Sequence, residues 1–277
     1  RAIADQASKL IHCSNYFNID LQEKVAEKLV EHSGLEAVFF CNSGLEANEC
    51  AIKIARKFGH AKSIEVPNII VLKHAFHGRS IATLSATGNP SVREDFSPYT
   101  EGFIFVDESD LDGIRKIVEE NKNVVAIFFE PILGEGGVVP IDLSVIKGIR
   151  EICDEHDLLM MCDEVQCGMG RSGKWFAHQW AEIKPDVITM AKGLAGGVPV
   201  GAVIVSEKAN IFKPGNHGST FGGNPLAMRA ALETLSIIED EKLVENALEV
   251  GKKLKKALSK SLNGFPGVRG IRGKGLM

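Results

Sequence analysis

The sequence predicts an α/β fold in which helices cover both faces of a mostly parallel sheet, and three observations support this prediction. Short continuous apolar runs recur along the chain, as expected for strands buried on both faces. Segments with apolar residues at helical spacing lie between these runs, and this alternation is typical of parallel sheets. Hydrophobic residues make up 44% of the 277 residues, which is enough for a substantial core.

The predicted strands are the most continuously apolar stretches of the chain. They cover residues 37–40, 69–72, 124–129, 158–162, 187–190 and 202–205.

The predicted helices have apolar residues three or four positions apart. Leu21, Val25 and Leu29 give the first such pattern, and similar patterns cover residues 45–58, 111–118 and 146–152. Residues 226–260 are predicted to form one long, increasingly charged helix that leads out of the sheet domain. A Gly-Phe-Pro-Gly segment follows that helix and ends it.

Charge and composition exclude several classes of function. A formal net charge of −4 gives no electrostatic reason to expect nucleic acid or an anionic membrane as a partner. No apolar run reaches the roughly 18 residues of a membrane span, and the first residues do not form a secretory signal. The six cysteines form no C-x-x-C pair, so free thiols in a reducing cytoplasm are expected. His74 and His77 lack a third ligand nearby, so no metal site is predicted.

Polar residues follow the ends of four predicted strands. His77 comes after 69–72, Glu130 after 124–129, Asp163 after 158–162 and Lys192 after 187–190. Ligands bind at the carboxyl ends of strands in such sheets. A lysine and an aspartate at two strand ends suggest pyridoxal phosphate (PLP): the lysine would hold the aldehyde as a Schiff base and the aspartate would hold the pyridinium nitrogen.

Two further segments have features of a phosphate site. Ser43 and Glu46 have capping-box spacing at a helix start, and a free helix N-terminus offers amide groups to a phosphate, although an ordinary cap has the same pattern. Thr220 lies in a polar, glycine-rich loop and could donate to a phosphate. The alternative is a tight turn in which Asn224-Pro225 opens the next helix.

Phe76 and Arg79 follow the second predicted strand. Phe76 could stack on the pyridine ring, although such residues are more often core. Arg79 could bind a substrate carboxylate through its planar fork, or be an ordinary surface arginine.

Residues 168–173 match the G-x-G-x-x-G dinucleotide fingerprint. However, residues 163–167 separate these glycines from the preceding strand, whereas a dinucleotide site needs strand, tight turn and helix in close succession. We therefore predict a loop here and no nicotinamide cofactor.

Taken together, six segments resemble the class III (ornithine-type) PLP-dependent aminotransferases over about residues 15–277. The segments are SGLEANE, HAFHGR, EPILGEGG, DEVQCGMGR, AKGLAGG and HGSTFGGNPLA. The resemblance implies the type I fold of PLP-dependent transferases. Residues 1–250 would form the large PLP-binding domain and 251–277 the beginning of a C-terminal small domain. Both ends of the sequence look like cuts through a longer protein.

DEVQCGMGR and HGSTFGGNPLA are most similar to members that act on N2-acetylornithine. The implied reaction is transamination of N2-acetylornithine with 2-oxoglutarate in arginine biosynthesis. Alternatives are a class III transferase for ornithine, 4-aminobutyrate or succinyl-diaminopimelate, a mutase of the glutamate-1-semialdehyde type, and a catalytically silent binding protein.

The resemblance implies a role for each matching residue. Lys192 and Asp163 would be catalytic, Gln166 would contact the phenolic oxygen of PLP, and Thr220 would reach the phosphate of the neighbouring subunit, which implies a homodimer. The expected cofactor-binding residues are Ser43, Gly44, Leu45, Phe76, His77, Glu130, Asp163, Gln166, Lys192 and Thr220.

The implied substrate-binding residues are Arg79, Glu135 and Asn18. Arg79 matches the arginine that binds the side-chain carboxylate of glutamate, and Glu135 matches the glutamate that pairs reversibly with the arginine for the α-carboxylate. That arginine would lie beyond residue 277. Asn18 stands where ornithine transferases carry a tyrosine, which argues against that subtype.

Two further departures concern the loops of the site. Leu45 stands where threonine or alanine is usual, so phosphate binding would depend on backbone amides. Leu133 replaces a frequent glutamine, and we expect this change to loosen the loop that holds Glu135.

Overall fold

The computed structural model describes all 277 residues. The α helices are α1 (Ala2–Ala7), α2 (Asp20–Ser33), α3 (Gly44–Ala61), α4 (Ile81–Ala86), α5 (Pro90–Arg93), α6 (Leu111–Glu120), α7 (Leu143–Glu155), α8 (Pro225–Asp240) and α9 (Leu243–Leu262). The strands are β1 (Ala37–Cys41), β2 (Asn68–Leu72), β3 (Phe103–Val106), β4 (Val124–Phe129), β5 (Ile132–Leu133), β6 (Val139–Pro140), β7 (Leu159–Asp163), β8 (Val187–Met190) and β9 (Gly201–Val205).

Seven strands form the main sheet, in the order β1-β9-β8-β7-β4-β2-β3. β9 runs antiparallel to both of its neighbours, and every other pair in the sheet is parallel. β5 and β6 form a separate antiparallel hairpin. The predicted fold class, a mostly parallel sheet between helices, is confirmed.

Both faces of the sheet are covered, which explains why its strands are apolar at every position. Alternate residues of a strand point to opposite faces. Phe128 and Met161 therefore pack in the cluster on the α3 side, whereas Ile127 and Met160 pack in the cluster on the α6 and α7 side. The α2 and α8 helices cover the remaining half of that second face, over β8 and β9.

The predicted strand positions agree closely with the structure, but three elements differ. The strand β3 and the β5–β6 hairpin had no counterpart in the prediction. The single long helix predicted over 226–260 is wrong, because α8 and α9 are separated at Glu241 and Lys242, where Lys242 has a left-handed φ of 51°. α8 also packs against α2 within the sheet domain and does not lead out of it.

The predicted domain boundary at residue 250 lies inside α9, which continues through it without a break. The division into two domains stays a prediction.

All six cysteines are free thiols, and five of them are buried. Cys41 and Cys162 lie in the core, and burial raises the pKa of the Cys41 thiol to about 12. Among the helices, none has the length and apolar character that a membrane span needs.

Candidate active site

The carboxyl ends of the parallel strands meet along one edge of the sheet and open to a cavity of about 450 Å³. Five side chains that follow different strands line this cavity. They are Ser43 after β1, His77 after β2, Glu130 after β4, Asp163 at the end of β7 and Lys192 after β8. The predicted convergence of strand-end residues is therefore present in the structure.

Asp163 is held by two buried side chains, and we call Asn48, His77 and Asp163 the Asp163 network. Oδ2 of Asp163 accepts hydrogen bonds from His77 Nδ1 and Asn48 Nδ2, each at 2.8 Å. Asn48 Nδ2 also donates to the His77 carbonyl oxygen at 2.7 Å. The His77 ring stacks on Phe128 with the ring centroids 4.1 Å apart. The carboxylate is therefore fixed in position, with 3% of Asp163 exposed.

The second oxygen of Asp163 has acceptor capacity left. Oδ1 accepts one hydrogen bond, from the Val165 amide at 3.0 Å, and a carboxylate oxygen can accept two. Because Nδ1 of His77 faces a carboxylate, which only accepts, Nδ1 carries the proton. Nε2 of His77 is buried and has no hydrogen-bond partner.

Ser43 caps α3, but the predicted capping box is only half present. Ser43 Oγ accepts from the Glu46 amide at 3.2 Å. The Glu46 carboxylate accepts from the amide of Asn42 at 2.6 Å, one residue before the predicted donor. Gly44 and Leu45 are the first two residues of the helix, so their amides have no acceptor within the helix and remain available to an anion.

Gly44 also allows the helix to approach the strand end. A Cβ atom at Gly44 would lie 2.7 Å from Cγ1 of Val165, closer than real carbon atoms pack. The start of α3 and the residue two positions after Asp163 therefore fit together only with glycine at position 44.

Lys192 begins a 3-10 turn directly after β8 and is exposed to the cavity. Its φ is 37°, which lies in the left-handed region that non-glycine residues rarely adopt. Such a backbone costs roughly 1–2 kcal/mol, and strained residues of this kind cluster at functional sites.

Glu130 joins two loops of the site. One carboxylate oxygen accepts from the Phe76 amide at 2.9 Å and the other from the Gly134 amide at 3.1 Å. Burial, and then the negative charge of Asp163, raise the pKa of Glu130 to about 8. Since both oxygens bind backbone amides, Glu130 links the loop after β2 to the loop after β4.

The other side of the cavity is open to solvent, and we call Arg79, Glu135 and Gln166 the substrate rim. Arg79 and Glu135 are exposed, and the Arg79 guanidinium lies 5.6 Å from the centre of the half-buried Phe76 ring. Gln166 Nε2 donates to Glu135 at 3.5 Å, a long contact. Gly134 makes room for Gln166, because a Cβ atom there would lie 1.4 Å from its Oε1.

Thr220 and Asn18 do not lie in this cavity. Thr220 is exposed and lines a second cavity of about 920 Å³, together with Tyr16 and Asn15. Asn18 is exposed in the segment before α2. The structure therefore brings together the predicted cofactor-binding residues except Thr220, and two of the three predicted substrate-binding residues.

Leu133 lies in the hairpin next to Glu135, and the loosening expected from it stays a prediction. Its side chain is fully buried in the core, and it pairs with Val139 in the β5–β6 hairpin. An apolar residue fits here because the side chain faces the core and not the cavity.

Asn48 is the main residue of the site that the sequence reasoning missed. It lies in the second turn of α3 and is 2% exposed. Asparagine is a poor helix former inside a helix, so its position in a predicted buried helix was a usable signal for a polar partner nearby.

Residues 168–173 form a loop, as predicted. Gly170 and Gly173 have left-handed φ values of 80° and 87° and lie against Val244 and Leu248 of α9. No helix begins at this segment, so the geometry of a dinucleotide site is not present there.

The whole chain, residues 1–277, matches the sequence profile of the family described as Aminotransferase class-III. The chain therefore belongs to the class III aminotransferases.

Among curated relatives, the chain is 50% identical to the acetylornithine aminotransferase of Nitrosomonas europaea, over all of this chain and 71% of that protein. It is 46% identical to the acetylornithine aminotransferase of Synechocystis sp., over all of this chain and 66% of that protein.

Solved structures of an ornithine aminotransferase and an acetylornithine aminotransferase superpose closely on this fold. The ornithine aminotransferase of Toxoplasma gondii matches with a TM-score of 0.95 at 35% identity, over 99% of this chain and 66% of that chain. The acetylornithine aminotransferase of Elizabethkingia anophelis matches with a TM-score of 0.87 at 35% identity, over 99% of this chain and 68% of that chain. The sequence thus spans about two thirds of the length of these proteins.

The residues present fit PLP, the cofactor of this family. Asp163 has an unused acceptor position on a buried carboxylate, and Gly44 and Leu45 offer free amides at a helix start. Lys192 supplies an amine at the same cavity, whose volume is within the range of small-molecule sites.

Proposed function

We propose that this protein transfers the terminal amine of N2-acetylornithine to 2-oxoglutarate with PLP as cofactor, giving N-acetylglutamate 5-semialdehyde and glutamate in arginine biosynthesis. One observation supports this proposal above all others. Lys192 and Asp163 lie at the ends of the neighbouring parallel strands β8 and β7 and line one cavity. The relatives named acetylornithine aminotransferase, at 46–50% identity over the whole chain, support the choice of donor.

PLP, when bound, supplies an aldehyde that forms a Schiff base with amines and a ring that accepts electrons from the reacting carbon. Asp163 would hold the proton on the ring nitrogen, because its carboxylate is fixed by His77 and Asn48. Lys192 would bind the aldehyde first and then, as a free amine, move a proton between the donor carbon and the cofactor. The Lys192 side chain is exposed at the cavity, so its amine is accessible for both tasks.

The other residues of the site would bind and orient. The amides of Gly44 and Leu45 would hold the phosphate, Phe76 would stack on the ring, and Gln166 would contact the phenolic oxygen. His77 contacts Asp163 directly and would act on the cofactor through it. Glu130 would set the positions of the loops on either side of the ring.

The substrate rim would recognise carboxylates. Arg79 is exposed and forms no ion pair within 4.0 Å, so its guanidinium is available to the side-chain carboxylate of glutamate or 2-oxoglutarate. Glu135 would neutralise the arginine for the α-carboxylate while the donor is bound. Asn18 would replace the tyrosine that favours free ornithine.

We also propose a homodimer in which Thr220 reaches the PLP phosphate of the partner subunit. In support, Thr220 lines a cavity together with Tyr16, and Tyr16, Phe17 and Phe221 are each exposed, with Tyr16 99% exposed. Apolar patches of this kind mark protein–protein contacts. Sedimentation of the protein should give a dimer mass, and Thr220→Ala should weaken PLP binding. A monomer that binds PLP at full affinity would contradict this part of the proposal.

The free thiols of all six cysteines fit a cytoplasmic enzyme.

The visible spectrum of the purified protein with PLP tests the function. We expect a Schiff-base band that disappears on addition of N2-acetylornithine and returns on addition of 2-oxoglutarate. Lys192→Ala should not give the band, and its kcat should be lower by at least about 10³-fold, whereas exposed Lys260→Ala should behave as the wild type. A band that responds to ornithine or 4-aminobutyrate instead would correct the donor, and turnover without 2-oxoglutarate would indicate a mutase. Wild-type turnover in Lys192→Ala would refute the assignment.

A further inference from the structure

Residues 271–277, which we call the strap, connect α9 with the loop that carries Glu135. At one end the strap lies directly against α9: a Cβ atom on Gly251 would be 2.0 Å from the carbonyl oxygen of Gly275. No side chain fits between these two glycines. The strap and α9 are therefore in backbone contact, which fixes the distance between them.

At the other end, Arg272 binds two neighbouring carbonyl groups of the Glu135 loop. Its Nε donates to the carbonyl oxygens of Gly137 at 2.9 Å and Val138 at 3.1 Å, and its Nη2 donates to that of Gly137 at 2.7 Å. The guanidinium has five N–H donors in one rigid plane and can bind two adjacent acceptors at once. A single ammonium group cannot reproduce this arrangement.

The turn that Arg272 binds has an unfavourable backbone conformation. Val138 has a φ of 54°, which is rare for a β-branched residue. The turn is closed by the amides of Gly137 and Val138, which donate to the Gly134 carbonyl oxygen at 3.1 and 3.2 Å. Val138 also packs in a small apolar cluster with Met277 of the strap. Such a conformation persists only when its surroundings hold it, and here the strap supplies both a polar and an apolar contact.

Glu135 lies inside this turn and has little else to fix it. Its carboxylate is exposed and forms no ion pair, and its one side-chain contact is the 3.5 Å bond from Gln166. The position of the carboxylate at the cavity therefore depends on the backbone of residues 134–138.

We propose that Arg272 is a positioning residue that holds Glu135 in place for the donor half-reaction. This inference rests on the role proposed above for Glu135. Arg272 touches no reacting atom, and acts through the Gly137 and Val138 carbonyl groups. Because Glu135 is needed when the amino donor is bound and is displaced when 2-oxoglutarate is bound, losing its position should impair the donor and spare the acceptor.

Hydrogen exchange in the whole protein without PLP tests the contact itself. Arg272→Ala should speed exchange of the Gly137 and Val138 amides about tenfold, because the turn opens more often. Arg269→Ala is the matched control, since Arg269 is an exposed arginine three positions before Arg272 and makes no side-chain hydrogen bond. Unchanged exchange in Arg272→Ala would overturn the proposal. This experiment needs no activity, so its result is independent of the proposed function.

Steady-state kinetics then separate positioning from general structural support. Arg272→Ala should raise the KM for N2-acetylornithine about fivefold and leave the KM for 2-oxoglutarate and the visible spectrum unchanged. Arg272→Lys, which keeps the charge but loses the planar fork, should recover only part of the effect. Arg272→Ala and Glu135→Gln combined should be no worse than Glu135→Gln alone. Equal changes in both KM values, or fully additive effects, would show a merely structural role and overturn the proposal.

Discussion

The Asp163 network and the substrate rim lie at the same sheet edge but differ in burial and in hydrogen bonding. The three residues of the network are at most 3% exposed and are joined by hydrogen bonds of 2.7–2.8 Å. In the rim, Arg79 and Glu135 are exposed and Gln166 is half-buried, and the one hydrogen bond within the rim is 3.5 Å long. Buried polar groups must be paired, so their geometry is fixed in advance, whereas exposed groups are free to move toward a substrate. The difference separates a rigid half that suits a permanent cofactor from an adaptable half that suits two alternating substrates.

The largest effect is expected from breaking the network. His77→Phe should weaken PLP binding about 10- to 100-fold, because the hydrogen bond to a buried charged group contributes roughly 1.5–3 kcal/mol. Phenylalanine keeps the stacking on Phe128 and removes only the polar contact. Titration of the protein with PLP, followed by absorbance, measures the change.

His74→Phe is the matched control for this variant. His74 lies in the same loop, is exposed and bonds to Glu108 outside the cavity. Its PLP affinity should equal that of the wild type. If both variants bind PLP normally, the distinction between a fixed and an adaptable half fails at its strongest point.

A smaller effect is expected at the rim. Arg79→Lys keeps the charge and loses the planar fork, so the KM for 2-oxoglutarate should rise about fivefold, which corresponds to the loss of one hydrogen bond of about 1 kcal/mol. The PLP spectrum should not change, because Arg79 does not contact the network. A changed spectrum with an unchanged KM would place Arg79 in the cofactor half instead.

The smallest effect concerns Glu130, which lies between the two halves. Its pKa is raised above the ordinary value of 4.5 to about 8, mainly by burial. Between these values the folded state keeps a proton that the unfolded state has released, so the contribution of Glu130 is complete below pH 4.5 and is lost as the pH rises toward 8.

Glu130→Gln removes this titration. The decrease in the melting temperature of the apoprotein between about pH 5 and pH 8 should become smaller, by roughly 2–4 °C for each kcal/mol that the titration contributes in chains of about this size. Calorimetry across this pH range measures it, with exposed Glu135→Gln as the control. If the melting temperature falls equally with pH in wild type and Glu130→Gln, the pKa of Glu130 is the same in the folded and the unfolded protein, which would contradict this prediction.

The sequence predicted the positions of Asp163 and Lys192 at strand ends well, because both follow continuous apolar strands that are easy to locate. Asp163 and Lys192 could be placed at one edge once the sheet was predicted to be parallel. Asn48 escaped prediction because its partner is 115 positions away in the chain, and a helix pattern does not show which buried face meets a strand end.

The regions that could not be predicted depend on tertiary contacts. The break between α8 and α9 occurs at Lys242, which adopts a left-handed φ without the glycine that usually marks such a position. β3 was missed although its sequence, Phe103–Val106, is apolar, since only its pairing with β2 makes it part of the sheet. Thr220 and Asn18 lie outside the cavity that holds the other predicted residues, and the role proposed for Thr220 requires a second subunit.

The left-handed backbone of Lys192 has an evolutionary consequence. Glycine adopts this conformation without steric cost, so selection for folding alone would favour glycine at this position. Proteins retain locally unfavourable residues when activity requires them, and stabilising changes at such positions tend to cost function. A lineage of this protein that no longer needed the chemistry would therefore be expected to lose Lys192 early, and to gain thermal stability as it did so.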